Sequence, residues 1–326
     1  CLFWLLSKFA GFADPALDAY GAGHTLLSLT EIGLLTTLCT LVLFGVLYEM
    51  NKNGKLHQVL LTLCLFGSGI FITSYERGNV ILLSVIMTAL YLLWYNSDNK
   101  ILREIGFIAL AVAAAIKCFP AVFGLLLLYE KRWKEAARLF LYGVTIFFVP
   151  FLFLRGGLAN IPQWLANLSV FAQEYRYQTA FGWQGLMRYV PQAGRGAVAL
   201  LCKTVSLLLM AGGALCALYQ KTQWKRVAFL ACIQILFPSV SHLYCALYLL
   251  PCVVLFFNDS LTEKRSWGYM ALFIVALSPV QWVAGGVNFT YSVVNVAVIA
   301  LFLALCAENG AVAARVLSAR RKAASQ

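Results

Sequence analysis

Long apolar runs separated by short polar connections fill this chain, and they predict a stack of hydrophobic helices. In order they cover Thr25 to Met50, His57 to Ser74, Asn79 to Tyr95, a broken segment from Glu104 to Tyr129, Ala137 to Leu154, Ala197 to Tyr219, Val227 to Ser241, His242 to Phe257, Gly268 to Ala284 and Asn288 to Cys306. Most approach the roughly 20 residues a helix needs to cross a bilayer. A membrane barrel would alternate apolar and polar residues over strand-length segments, whereas Val80 to Tyr95 is apolar on every face. The expected class is all-α: a polytopic transmembrane helical protein, one domain over residues 1–326, with about nine full spans and one re-entrant hairpin.

The hairpin is read from the broken segment. Lys117-Cys118-Phe119-Pro120 interrupts it, leaving Ile105 to Ile116 and Ala121 to Tyr129, each too short to span. A dozen helical residues reach only about 18 Å. Proline removes a backbone donor and favours the break, and irregular backbone at membrane depth needs surrounding protein or a wet cavity. Two half-helices that enter and return to the basic loop Glu130-Lys131-Arg132 put Lys117 at the apex.

Composition strengthens the membrane assignment, with 62% hydrophobic residues, 12% charged and mean hydropathy +0.81. A net charge of +12 raises nucleic acid as a partner, but the basic residues sit in short connections between spans and mark the cytoplasmic side instead. If Asn51 to Leu56 is cytoplasmic, so are Lys52, Lys55, Lys100, Arg103, Lys131, Arg132, Lys134, Arg138, Lys221, Lys225, Arg226, Lys264, Arg265 and a basic tail at 310–326, which together hold most of the 25 Lys and Arg. The ten cysteines lie mostly inside apolar runs without metal-ligand spacing, so they read as small buried hydrophobes and no metal is expected. No cofactor is expected either.

On that topology the outer side gathers Glu76, Arg77 and Asn79, Lys117 at the hairpin apex, the long loop Arg155 to Gly196, and Ser239, Ser241, His242 and Tyr244. The loop carries Ile161-Pro162-Gln163-Trp164-Leu165 and Trp183-Gln184-Gly185-Leu186, an amphipathic pattern that suits the interface. Ionised groups beside hydrocarbon cost about 2.5 to 3.5 kcal/mol on insertion scales, so each needs a partner or a function. Arg77 and Lys117 suit a lipid phosphate, Arg as a bidentate donor and Lys as a point charge. Such a pair would stabilise the charge that develops when a sugar leaves a polyprenyl phosphate, while a carboxylate such as Glu76 takes the acceptor proton. His242, Tyr244, Trp183 and Gln184 are the candidate acceptor or sugar contacts. Each also has a plainer role: Glu76 and Arg77 as helix caps around a permissive Gly78, Lys117 as a snorkelling side chain, Trp183 and Gln184 as interface anchors.

Tyr75-Glu76-Arg77-Gly78-Asn79 before an apolar span, Ala113 to Ala121 running into Leu125-Leu126-Leu127-Leu128-Tyr129-Glu130-Lys131-Arg132, and Phe237-Pro238-Ser239-Val240-Ser241-His242-Leu243-Tyr244 resemble glycosyltransferase family 87 in order and spacing. The resemblance implies a C-type glycosyltransferase fold, a polyprenyl-phosphate hexose donor with mannose the family's usual sugar, a glycan or glycolipid acceptor, and a cell-membrane site facing outside, as on a bacterial plasma membrane. It also implies a catalytic Asp or Glu in the first outer loop. The chain starts at Cys1, so that base is expected upstream; Asp14 and Asp18 precede the first complete span without matching a catalytic motif.

Two other classes compete. A transporter also uses broken helices and intramembrane charges, but it should show two corresponding halves, and only one interrupted span and no internal repeat are visible. A non-catalytic polyprenyl-phosphate-binding protein would share the cationic site and lack the base.

Overall fold

Helices carry almost all of the described chain, as the apolar runs require. The computed structural model describes residues 26–174, 181–185, 191, 195–238, 240–259, 266–280, 282–284 and 287–324. The first elements are α1 (Leu26–Met50), α2 (Lys55–Phe66), α3 (Gly69–Glu76), α4 (Ile81–Trp94) and α5 (Lys100–Ile116). A 3-10 turn (Phe119–Gly124), α6 (Leu125–Tyr129) and α7 (Trp133–Leu152) follow, then α8 (Asn160–Glu174) and α9 (Gly182–Gly185) in the long loop. The rest is α10 (Arg195–Tyr219), α11 (Gln223–Leu236), a 3-10 turn (Leu243–Tyr248), α12 (Leu249–Asp259), α13 (Ser266–Leu277) and α14 (Thr290–Ala324).

Three described helices are long and apolar enough to cross a membrane, Leu29–Met50, Trp133–Leu152 and Thr290–Gly310, and the bent pair α2–α3 passes as a fourth. Apolar side chains on α7 point away from protein, Phe140 being 73% exposed. A water-facing helix would not expose such a surface, so the chain is a multi-pass helical membrane protein. At its centre α11 is buried almost throughout, from Trp224 to Leu236, and α12 from Leu249 to Phe256.

The broken segment folds back on itself as a hairpin. Asn99 starts α5 by accepting from the backbone N–H groups of Ile101 and Leu102 at 2.9 and 3.4 Å. Lys117 leaves helical geometry at φ −139° and ψ 119°, and Pro120 sits in the first turn of the 3-10 segment, where its missing N–H costs nothing. The returning limb ends where α5 began: Tyr95 donates to Glu130 at 3.1 Å, Arg132 donates to the Tyr95 carbonyl at 2.9 Å, and Arg103 pairs with Glu135 at 3.3 Å. Several internal hydroxyls find partners, as hydrocarbon demands. Ser84 shares a 2.7 Å hydrogen bond with Tyr248 and approaches the Ala113 carbonyl at 3.2 Å, while Tyr91 donates to the Phe123 carbonyl at 3.3 Å. These contacts tie α4 to the far end of α5 and to both 3-10 turns.

Polar connections collect at two ends. One end holds Asn51, Asn53 and Asn258, the Glu130–Arg132–Glu135–Arg103 network, and the Lys225–Glu308 pair. The opposite end holds the 76–79 turn, the hairpin apex and the start of the 243–248 turn.

Three expectations need correction. His57 to Ser74 is two helices bent by 60°, because Gly67 closes α2 by donating to the Leu63 carbonyl and Ser68 Oγ donates to the Leu65 carbonyl. The returning limb of the hairpin begins as a 3-10 turn and becomes α-helical only from Leu125. The helix expected over Gly268 to Ala284 ends at Leu277, before Pro279, and a short antiparallel pair follows, β1 (Val283–Ala284) with β2 (Val287–Asn288). The backbone of α14 runs on through the basic stretch to Ala324.

Candidate active site

The first site residues sit on a tight turn. Helix α3 ends at Glu76, Arg77 caps it, and Gly78 takes φ +53°, the left-handed region that favours glycine. A Cβ on Gly78 would also meet Ile32 Cγ2 of α1 at 2.4 Å, so two constraints demand glycine there. Asn79 then opens α4: its Oδ1 accepts from Ile81 N–H at 3.0 Å. That bond commits the amide oxygen and leaves a donor role to the amide nitrogen.

Because α4 and α5 run antiparallel, the start of α4 lies beside the end of α5, and Lys117 comes to the same membrane end as Arg77. The Lys117 ammonium stands 5.4 Å from the Tyr244 ring centroid, and the Tyr244 ring is 5.5 Å from that of His242. Burial, with the positive charges of Arg77 and Lys117 behind it, holds the half-buried His242 below the ordinary imidazole range. Among the described residues neither Arg77 nor Lys117 pairs with a carboxylate. Two cations without a carboxylate partner among the described residues, beside an imidazole, give this end a positive potential.

Glu76 turns elsewhere. It lines a cleft of about 170 Å³ with Thr73, Leu243, Ser278, Thr290 and Tyr291, and among the described residues it makes no ion pair with Arg77. The cleft and the cationic cluster share the 76–77 peptide and the start of the 243–248 turn.

The loop helix α9 is pinned beside this cluster. Phe181 donates its backbone N–H to the Ser241 carbonyl at 3.1 Å. Gly182 donates its own to Asn295 Oδ1 at 2.9 Å, and Asn295 Nδ2 returns a bond to the Gly182 carbonyl at 3.2 Å. Gly182 has φ +76°, and a Cβ there would fall 2.0 Å from the Leu236 carbonyl oxygen. This brings the backbone of Trp183 and Gln184 to the same end; their side chains, with Asp14, Asp18 and Ser239, lie outside the described residues. Sequence reasoning missed Asn295 and Gly182, although an asparagine inside the apolar run of α14 was a visible signal.

The description Glycosyltransferase family 87 matches residues 10–243, more than two thirds of the chain. The chain belongs to glycosyltransferase family 87. No curated protein and no solved structure matches it. The glycosyltransferase family 87 match spans the 76–79 turn, the hairpin apex and His242, and stops before Tyr244 and the Ser278 to Tyr291 wall of the Glu76 cleft. As a member of this family the protein is a membrane glycosyltransferase, with a sugar donor and an acceptor as substrates.

Proposed function

We propose that this glycosyltransferase moves a hexose, mannose by family habit, from a polyprenyl-phosphate carrier to a hydroxyl of a glycan or glycolipid acceptor. On this reading the protein is one transmembrane domain of about nine spans and a re-entrant hairpin, seated in a bacterial plasma membrane with the Arg77 end outside. The observation that carries it is the meeting of Arg77 and Lys117, forty positions apart in sequence, around His242 with no carboxylate partner among the described residues. A phosphate supplies the missing negative charge.

In the transfer the bond between the sugar's anomeric carbon and the phosphate oxygen breaks, and the electron pair stays on the phosphate. Arg77 and Lys117 meet that charge, and Asn79 Nδ2 is available as a further donor. Loss of one such donor costs about 2.7 to 4 kcal/mol in the barrier. The acceptor oxygen forms the new bond at the anomeric carbon and gives its proton to a carboxylate. By the resemblance the family's base belongs to the first outer loop, with Glu76, Asp14 and Asp18 the candidate carboxylates on this chain, while His242, Tyr244, Trp183 and Gln184 are assigned to acceptor or sugar contacts. Full-length protein in membranes, supplied with radiolabelled polyprenyl-phosphate mannose or glucose, should pass label into a lipid or polymer fraction. Transfer from a nucleotide sugar, with none from either lipid donor, would overturn the reading.

A further inference from the structure

The cleft that receives Glu76 is built from two walls. Gly69, Ile72, Thr73 and Glu76 share one face of α3, because residues at i, i+3, i+4 and i+7 align on a helix. The facing wall is the Ser278-Pro279-Val280 connection with the first turns of α14, which supply Thr290, Tyr291 and Val294. Gly69 lets the walls meet, since a Cβ there would fall 2.7 Å from the Ser278 carbonyl oxygen and 3.2 Å from Pro279 Cα. The connection is tied to α14 in turn: Trp282 donates its N–H to Thr290 Oγ1 at 2.9 Å, and Phe289 donates its own to the Trp282 carbonyl at 2.7 Å.

Its polar side chains suit a ligand made of hydroxyls. An ionised Glu76 only accepts. Ser278 Oγ already accepts from the Val280 N–H at 3.1 Å, which leaves its own hydrogen to donate. The hydroxyls of Thr73 and Tyr291 make no hydrogen bond among the described residues. Between these groups lie about 170 Å³ of space, with Ile70 and Pro279 as apolar wall. One water takes about 30 Å³, so the cleft has room for one sugar ring rather than a chain of them. Such a ring both donates and accepts through its hydroxyls and packs its C–H faces on apolar side chains.

The cleft also adjoins the cationic cluster closely. Glu76 lines it while Arg77, one Cα step of about 3.8 Å away, belongs to the cluster; Leu243 lines it while Tyr244 meets Lys117; Val294 lines it while Asn295 holds Gly182. Arg77, Lys117 and His242 fall inside the matched residues 10–243, whereas the wall from Ser278 to Val294 falls beyond them. Groups for the leaving phosphate thus lie in the part shared with the family, and the second wall of the cleft lies in the part that can differ. That division suits recognition of the acceptor.

We propose that this cleft seats one sugar ring of the acceptor, and that Glu76, Ser278 and Tyr291 read its hydroxyls and so set acceptor specificity. The inference rests on the transfer reading above and deepens it. A site that hydrogen-bonds a hydroxyl rejects an analogue lacking it far more strongly than an apolar pocket rejects a missing methylene.

The test measures binding to the full-length protein in nanodiscs. The probes are octyl α-D-mannoside and octyl α-D-glucoside, with tetraethylene glycol monooctyl ether as a control that lacks the ring and decaprenyl phosphate as a reporter of the cationic cluster. Wild-type protein should prefer one glycoside to the ether by about tenfold or more. Ile72→Trp, which fills the cleft from an exposed position, and Tyr291→Phe, which removes a hydroxyl and keeps the ring, should each weaken that glycoside by about fivefold or more. Decaprenyl phosphate affinity should change by less than about twofold in both, which also shows that the variants fold. No preference for a glycoside in the wild type, or unchanged glycoside affinity in folded variants, would overturn the inference and leave the donor reading standing. Variants that weaken decaprenyl-phosphate mannose and spare the octyl glycoside would give the cleft to the donor's own sugar and overturn the acceptor assignment. Failure of wild-type protein to bind decaprenyl phosphate, with the glycoside bound as expected, would overturn the lipid-phosphate reading and leave the cleft as a sugar site.

Discussion

Replacing Lys117 with alanine should separate donor recognition from folding. Among the described residues the ammonium has one aromatic partner, the Tyr244 ring at 5.4 Å, and no carboxylate. Losing that cation–π contact costs about 1 kcal/mol, and removing a charge that opposes Arg77 offsets part of it. Stability should therefore change by less than about 1 kcal/mol. Donor affinity should change far more, because a hydrogen bond to a charged group contributes about 1.5 to 3 kcal/mol net, or roughly 10- to 150-fold in Kd. The variant has a second signature. In the wild type, burial and then the charges of Arg77 and Lys117 hold His242 below its ordinary range. An imidazole held down in the native state stabilises the fold fully above the unfolded value, about 6.5, and that stability is lost as pH falls from there through the native value. Without Lys117 the His242 titration should move up and the acid-side loss should shrink. The chain has three histidines, so NMR of histidine-labelled protein in micelles can follow His242 directly, alongside decaprenyl phosphate binding. Wild-type affinity together with an unmoved His242 titration would refute the cationic-cluster argument.

Gly182→Ala forces a Cβ into the Leu236 carbonyl at a left-handed backbone position, so thermal unfolding should show a loss of more than about 3 kcal/mol or failure to accumulate. Asn295→Leu strands both backbone groups of Gly182 and should cost about 2 to 4 kcal/mol; a near-neutral outcome would show that α9 is held by other contacts. Glu308→Gln leaves the buried Lys225 ammonium without its charge partner and should cost about 3 to 5 kcal/mol by denaturant melting. For sidedness, a single reporter cysteine in a cysteine-free background at the exposed Leu158 should react with an impermeant thiol reagent from outside, and one at the exposed Asp98 only after permeabilisation; the reverse pattern would invert the topology.

Local pattern alone determined the class of this protein. Apolar runs on every helical face dictate a membrane helix bundle whatever the tertiary contacts, and Lys117 to Pro120 marks the hairpin because a missing N–H and a charge inside hydrocarbon each interrupt a span. The need for glycine at 78 was legible for a similar reason, as the turn between two runs is short. What remained hidden depends on residues far apart in sequence. The Ser84–Tyr248 and Ser84–Ala113 contacts set which helix ends lie together, and so decide that Arg77 and Lys117 converge on His242. Rotation of α3 about its axis turned Glu76 into the Ser278–Tyr291 cleft, and neither hydropathy nor spacing encodes that rotation. The seat of Gly182 against Leu236 and Asn295 was hidden too, since a glycine's φ and a buried amide's partner are fixed only when the helices around them have packed.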